Sequence, residues 1–226
     1  MAVATVETST ETLVADTSTA AIPKFPLAYV DDINADRVIR VSGGWEQFEF
    51  IQQGFEQHRG VRLSYFNGII EIFMPGRAHE VFKTIIGMLL ETFLLDREIE
   101  FEATGGMTQK IEGFVALEAD ESYEIGDLKL AIEVNFSNGG VAKLQLYKAL
   151  EVNEVWFWED GVLDIYHLEF TGYEKVANSK IPELATIDFV VLSACILAGE
   201  TSKVSAVKML RSAYPIQLQQ GEAIIN

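Results

Sequence analysis

The sequence predicts a mixed α/β domain, and three observations support this class. Segments with alternating apolar and polar residues, typical of strands, are interleaved with segments in which apolar residues recur every three or four positions, typical of helices. Apolar residues make up 49% of the chain, enough for a substantial core. The length of 226 residues suits one domain, since two would each be small. We therefore expect a single domain over residues 25–226.

The N-terminal segment differs in composition from the rest. Residues 1–24 are rich in Thr, Ser, Ala and Glu and contain no aromatic residue, which predicts a disordered or loosely ordered tail. The chain shows neither a signal-peptide pattern nor an apolar run long enough to cross a bilayer. Its one cysteine, Cys195, excludes an intramolecular disulfide and fits a reducing compartment. These features predict a cytoplasmic protein.

The first part of the domain alternates between strand and helix signals. Four elements are predicted, at residues 37–41 (strand), 45–58 (helix), 61–74 (hairpin) and 78–96 (long helix). The hairpin prediction depends on Asn67-Gly68, which separates two apolar runs and is the strongest short-range signal for a hairpin turn.

The remainder of the domain is richer in strands. Strands are predicted at residues 98–102, 107–111, 114–123, 128–135, 154–158, 162–168 and 173–176, and helices at 141–151, 184–197 and 202–213. Gly126 and Asp127 suit a turn between two of these strands, 114–123 and 128–135, which would then form a hairpin.

Two carboxylates and a lysine in this region are the candidate catalytic residues. The alternation places Asp120 and Glu133 on the polar faces of the two hairpin strands, and they are close in space if the register allows. Lys143 follows on the helix at 141–151, on the side that carries Leu146 and Tyr147. Two acids and a lysine that converge from adjacent elements commonly hold a divalent metal and stabilise a reacting phosphate. The alternative for Lys143 is that its ammonium extends into solvent.

Several segments in this order and spacing resemble a known family. They are GIIEIFMPGRAHE, ALEADESY, LAIEV, KLQLYKALEVNEVWFW and LATIDFVVLSACI. The chain resembles members of the PD-(D/E)XK nuclease superfamily over residues 38–214. More narrowly, it resembles a restriction-endonuclease family, once classed as a domain of unknown function, that occurs in many copies in cyanobacteria. The resemblance implies a restriction-endonuclease-like core, in which a mixed β-sheet flanked by helices follows the order helix–strand–strand–strand–helix–strand.

The resemblance also implies roles for individual residues. Asp120 and Glu133 would bind Mg²⁺ or Mn²⁺, and Lys143 would assist phosphodiester cleavage. The superfamily usually places its lysine two residues after the glutamate, where this chain has Asn135, while the narrower family often supplies it from the next helix, as Lys143 would here. The aspartate is usually preceded by proline, and here by alanine.

The first turn of the long helix offers two further candidates. Glu80 would be a metal ligand, as first-helix acids are in some superfamily members. An acid at this position is also favoured simply by the helix dipole. His79 matches a histidine that is common in the resembled family, and a capping or packing role is the alternative for it.

The net charge of −17 bears on the expected partner. A chain this acidic repels a polyanion unless its basic residues cluster and a metal neutralises the carboxylates. The expected function is a metal-dependent endonuclease that acts on nucleic acid, with DNA the expected form. The alternative is a weakly active or inactive nuclease-fold protein that acts through protein partners. A symmetric homodimer is expected, because two subunits would gather their few basic residues around one groove.

Overall fold

The computed structural model describes residues 35–58, 60–135 and 140–215. All of them belong to one unit, Asp32–Asn226. The tail predicted over residues 1–24 lies outside the described residues, as does most of the glycine-rich turn after Asn135. In the described part of the chain, no helix has the length and apolar character needed to cross a membrane.

The first sheet has five strands, and all of its neighbouring strands are antiparallel. Its strands are β1 (Arg37–Ser42), β2 (Arg62–Phe66), β3 (Ile69–Met74), β5 (Thr108–Ile111) and β6 (Val115–Glu118), in the order β1-β3-β2-β6-β5. The hairpin predicted at Asn67-Gly68 is present between β2 and β3. Both turn residues have positive φ, 49° and 75°, which an Asn-Gly pair tolerates well.

The second sheet has six strands and is mixed. Its strands are β4 (Glu102–Ala103), β7 (Glu121–Ile125), β8 (Leu128–Asn135), β9 (Glu154–Glu159), β10 (Val162–Leu168) and β11 (Tyr173–Val176), in the order β11-β10-β9-β8-β7-β4. Strands β8 and β9 are parallel, and the other neighbours are antiparallel. The parallel pair requires a crossover connection, which contains a short helix.

Helices cover both sheets. They are α1 (Trp45–Phe55), α2 (Arg77–Leu95), α3 (Leu144–Ala149), α4 (Phe189–Thr201) and α5 (Lys203–Ala213). Helices α2, α4 and α5 form the main core with one face of the second sheet, α3 packs on its other face, and α1 packs on the first sheet. The elements α2, β4, β7, β8, α3 and β9 follow the order helix–strand–strand–strand–helix–strand. The predicted mixed α/β, restriction-endonuclease-like fold class is therefore confirmed.

The prediction of one strand over residues 114–123 is wrong. This segment forms two strands, β6 in the first sheet and β7 in the second, and Asp120 lies at the break between them. Strand β6 pairs with β2 and β5, whereas β7 pairs with β8 and β4. Alternation persists across the break because each short strand keeps a buried face, so periodicity alone does not reveal the change of sheet.

The expectation that Glu133 lies on a polar face of its strand is also corrected. One face of β8 packs in the main core, as the alternation predicts. The opposite face, which carries Ala131 and Glu133, is covered by α3 and β6. A central strand paired in parallel with its neighbour is commonly buried on both faces, so Glu133 lies in the interior.

Candidate active site

Glu133 lies on β8, and Asp120 immediately precedes β7, the strand that pairs with β8 in the predicted hairpin. The last pair in this register is Glu121 with Ile132, so Asp120 and Glu133 are the next residue on each side of that pair. The Oδ2 atom of Asp120 also accepts a hydrogen bond from the backbone N–H of Val134, at 2.6 Å. This bond fixes the Asp120 carboxylate beside the Glu133 backbone.

Glu133 is fully buried, and both of its carboxylate oxygens have partners. The Nζ atom of Lys143 lies 2.7 Å from Oε2 of Glu133, and the hydroxyl of Tyr147 donates a hydrogen bond to Oε1. A buried carboxylate needs such partners because an unpaired charge in the interior is strongly unfavourable. The expected pairing of Lys143 with one of the two acids is confirmed.

The local backbone explains how Lys143 reaches Glu133. The helix predicted at 141–151 is a 3₁₀ turn, Gly140–Lys143, followed by α3. Lys143 ends the turn and lies four residues before Tyr147, so both side chains leave the same side of this segment. Only 22% of the Lys143 side chain is exposed, which excludes an ammonium directed into open solvent.

Tyr147 holds Glu133 from the helix side. Burial and the adjacent Glu133 carboxylate raise the pKa of Tyr147 well above its usual value. The phenol therefore stays protonated and remains a hydrogen-bond donor to Glu133. The sequence identified Tyr147 only as part of an apolar helix face. Its position four residues after Lys143 is the signal that could have placed it in the site.

Arg62, which the sequence interpretation did not single out, brings a second cation to the carboxylates. Its guanidinium contacts Oδ1 of Asp120 and lies 2.6 Å from Oε1 of Glu80. The nitrogen that contacts Asp120, Nη1, also lies 3.1 Å from Nε2 of His79. The Arg62 side chain is only 11% exposed. This buried arginine compensates the charge of Asp120.

His79 bridges the site to a third acid. Its Nε2 atom lies 2.9 Å from Oδ2 of Asp120, and its Nδ1 atom lies 3.2 Å from Oδ2 of Asp36. Burial alone would raise the pKa of Asp36, but hydrogen bonds from His79 and from the backbone N–H of Gly76 bring it below its ordinary value. The structure thus places the candidate His79 next to Asp120 and adds Asp36, which the sequence did not indicate.

Glu80 reaches Asp120 only through Arg62. Its carboxylate faces the Arg62 guanidinium at 2.6 Å and the Lys83 ammonium at 3.9 Å. The Glu80 side chain is half-exposed, in contrast to Asp120 and Glu133. Of the sequence-predicted residues, Lys143 and Glu133 are in direct contact, and Asp120 binds the backbone of the residue after Glu133. Glu80 lies on the outer side of the arginine.

The donor chemistry of the two acids fits a hard divalent cation. Asp120 and Glu133 offer carboxylate oxygens, which Mg²⁺ and Mn²⁺ prefer. Arg62 contacts Oδ1 of Asp120 and Lys143 contacts Oε2 of Glu133, so each carboxylate already has a cation beside it. Among the described residues, no three His, Cys, Asp or Glu side chains gather in a metal-holding geometry. A cation that binds Asp120 would therefore replace the Arg62 guanidinium as its counter-charge.

The chain matches no family model and no curated protein. Among solved structures, it is similar to the crystal structure of a protein from Anabaena variabilis, provisionally described as a nuclease of the DUF820 family. The two chains are 13% identical, and the similarity covers 66% of this chain and 90% of the other, with a TM-score of 0.42. A similarity this distant assigns neither fold nor function, so both rest on the residues described above.

Proposed function

We propose that this protein is a metal-dependent nuclease that hydrolyses phosphodiester bonds in nucleic acid, with DNA the first substrate to test. The observation that carries the proposal is the contact between Lys143 and Glu133, next to the residue whose backbone N–H binds Asp120. A buried acid pair with an ammonium at its edge is suited to phosphoryl chemistry, in which negative charge must be both positioned and neutralised.

The proposed roles follow from the contacts. Asp120 and Glu133 would hold Mg²⁺ or Mn²⁺, which supplies Lewis-acid polarisation of the phosphate when bound. The Lys143 ammonium, now paired with Glu133, would turn to the phosphate and stabilise charge that develops on its oxygens. Tyr147 would keep the Glu133 carboxylate oriented. His79 would hold Asp120 in place, since it is itself held by Asp36.

Glu80 is retained in the proposal as a third metal ligand. Its carboxylate and that of Asp120 bind the same guanidinium, so both acids already converge on one cationic group. If Arg62 withdraws, a metal ion could take over this shared position. Arg62 would then act as the resident counter-charge of the metal-free site.

The proposal is tested by a cleavage screen across single- and double-stranded DNA and RNA. Each substrate is incubated with Mg²⁺, with Mn²⁺ or with EDTA, and Glu133→Gln protein purified in the same way reports contaminating nucleases. We expect cleavage of at least one substrate with metal, none with EDTA and none by the variant. No cleavage of any substrate would instead favour the alternative of a nuclease-fold protein that acts through protein partners.

We also propose that the protein forms a symmetric homodimer, because many nucleases of the resembled superfamily cut as dimers. Apolar side chains are exposed after Trp158 and along the C-terminal helices, at Val162, Val190, Leu197 and Val204. Such a cluster suits a protein contact. Light scattering tests the proposal: we expect twice the subunit mass, and a strict monomer at high concentration would exclude the dimer.

A further inference from the structure

A cleft of about 430 Å³ opens beside Lys143. One wall is the face of β1, β3 and β2 that α1 does not cover. The other wall is the end of β8 with the start of the α3 segment. This volume lies in the range of small-molecule pockets rather than of extended grooves. A ligand in the cleft would touch both Lys143 and the strand that carries Glu133.

The first wall is built in rows across the sheet. The register aligns Val38, Phe73 and Arg62 in one row. It aligns Phe66 with Ile69 in another row at the far end of the cleft. The wall is thus apolar and aromatic at both ends, which suits the flat face of a nucleobase.

The ring of Phe73 lies between the cleft and the side chains of Arg62 and His79. Its ring lies 5.6 Å from the Lys143 ammonium and 5.9 Å from the Arg62 guanidinium, and its centroid lies 5.1 Å from that of the His79 ring. The ring also lines the cleft. A base against Phe73 would therefore bring its own phosphate towards Lys143.

The second wall contains an amide without a partner. Asn135 lines the cleft at the end of β8, and its buried Nδ2 atom has no hydrogen-bond partner among the described residues. An unpaired buried amide is unfavourable unless a ligand completes it. Asparagine is a common partner for the edges of nucleobases. Asn135 is two residues after Glu133 on β8, so both side chains leave the same face of the strand.

The charges around the cleft do not suit a duplex. Arg40, the other basic side chain in the lining, is paired with Glu71 at 2.7 Å. The chain as a whole carries a net charge of −17. Binding to duplex backbone relies on several phosphate contacts from basic residues, whereas a single strand also gains affinity from stacking of its unpaired bases.

On the basis of the proposed function, we infer that the substrate is a single-stranded nucleic acid whose unpaired base enters this cleft. The base stacks on the ring of Phe73, the aromatic side chain nearest Lys143, and the Asn135 amide donates a hydrogen bond to an acceptor on its edge. The adjoining phosphate faces Lys143 and the acid pair.

The test compares binding and cleavage of matched oligonucleotides. Fluorescently labelled single strands of DNA and of RNA, the corresponding duplexes, and a single strand with abasic positions are titrated in Ca²⁺ and, separately, cut in Mg²⁺ or Mn²⁺. We expect single strands to bind at least about fivefold more tightly than duplexes, and abasic positions to remove this gain. The DNA and RNA arms identify which strand is preferred.

Two variants probe the cleft itself. Asn135→Leu keeps the size of the side chain and removes the amide, and Phe73→Leu removes the ring on which the base stacks; both should weaken single-strand binding about fivefold or more. Phe50→Ala is the control, because Phe50 is an exposed phenylalanine on α1, outside the cleft.

The outcomes separate this inference from the proposed function. Cleft-dependent single-strand binding without cleavage would support the inference while contradicting the nuclease proposal. Cleavage that is equal on duplex and single strand and insensitive to abasic positions would overturn the inference and leave the nuclease proposal standing. No binding of any oligonucleotide would also overturn the inference.

Discussion

The ammonium of Lys143 lies 2.7 Å from the Oε2 atom of Glu133, although the two residues belong to different elements. Strand β8 ends with Asn135, and the 3₁₀ turn before α3 brings Lys143 back over the carboxylate. The contact gives Lys143 the position that its proposed role in cleavage requires.

Replacement of Lys143 by methionine should separate charge from packing. Lys143→Met keeps an unbranched apolar stem and removes the ammonium, so the protein should fold and bind metal at least as tightly as the parent. Cleavage should fall about 10²–10³-fold, which is the typical loss when an enzyme is deprived of one donor that stabilises charge in the transition state. The rate constant of single-turnover cleavage is the measurement.

A lysine on α3, five residues after Lys143, provides the control. Lys148 binds the carbonyl of Thr171 at 3.0 Å, away from Glu133. Lys148→Met should therefore cut at the parent rate. Equal rates for Lys143→Met and the parent would show that the Lys143 ammonium has no part in cleavage.

Arg62 should oppose metal binding while it stabilises the metal-free protein. Arg62→Met leaves the buried Asp120 without its cation, which should lower the free energy of unfolding by about 3–5 kcal/mol without metal. It should also increase the stabilisation that Mn²⁺ provides, because the ion no longer competes with a guanidinium. Chemical denaturation with and without Mn²⁺ measures both effects.

The matched control for Arg62 lies on the adjacent β1–β3 pair. Arg40 pairs with Glu71 but is largely exposed, so Arg40→Met should change stability by less than about 1 kcal/mol and leave the Mn²⁺ response unaltered. A smaller Mn²⁺ effect in Arg62→Met than in the parent would contradict the idea that Arg62 occupies the place of the ion.

Tyr147 should act by orienting Glu133. Tyr147→Phe removes one donor from a fully buried carboxylate, which should lower the free energy of unfolding by about 1–3 kcal/mol. Loss of such an outer contact typically weakens metal affinity 10–100-fold. Calorimetric titration with Mn²⁺ checks this change in affinity.

Tyr123→Phe is the corresponding control, since Tyr123 is equally buried and donates to Glu91 at 3.3 Å. It should lose some stability but retain the metal affinity of the parent. Parallel losses of metal affinity in both variants would assign the effect to general loosening of the fold.

Asp36 should make stability depend on pH in acid. Its folded-state pKa is lowered by His79 and the N–H of Gly76, so its contribution is present above the unfolded value of 3.8 and is lost as the pH falls through the folded-state value. Asp36→Asn should therefore be less stable than the parent at pH 6, and the difference should shrink below pH 3.8. A difference that stays constant down to pH 2 would show that Asp36 is not the titrating group.

The relation between Asp120, Glu133 and Lys143 could be predicted in part, because some of its signals are local. Alternation and the turn at Gly126 indicate a hairpin that carries the two acids but leave its register open, and helical spacing leaves Lys143 either near the acids or in solvent. The change of sheet at Asp120 could not be predicted, since periodicity specifies a buried face but not the partner strand. Only Ala119 and Asp120 separate the two strands, with no glycine or proline to mark the break.

Contacts between residues far apart in the sequence could not be predicted from local patterns either. Arg62 meets Asp120 only because β2 and β6 are neighbours in the first sheet, a pairing that no short pattern encodes.

The start of α4, in contrast, carries a local signal in the sequence. The predicted helix began at Leu184, whereas Asp188 caps the observed helix by accepting hydrogen bonds from Val190 and Val191.

Calorimetric titration with Mn²⁺ tests the claim that Glu133, together with Asp120, holds a divalent ion. The parent, Glu133→Gln and Glu154→Gln are compared after circular dichroism has shown each to be folded. Glu154 is an equally buried glutamate bound to Trp156 and the backbone of Lys180, away from Lys143. We expect the parent and Glu154→Gln to bind one ion and Glu133→Gln to bind none. Equal binding by all three proteins, or none by the parent, would contradict the claim.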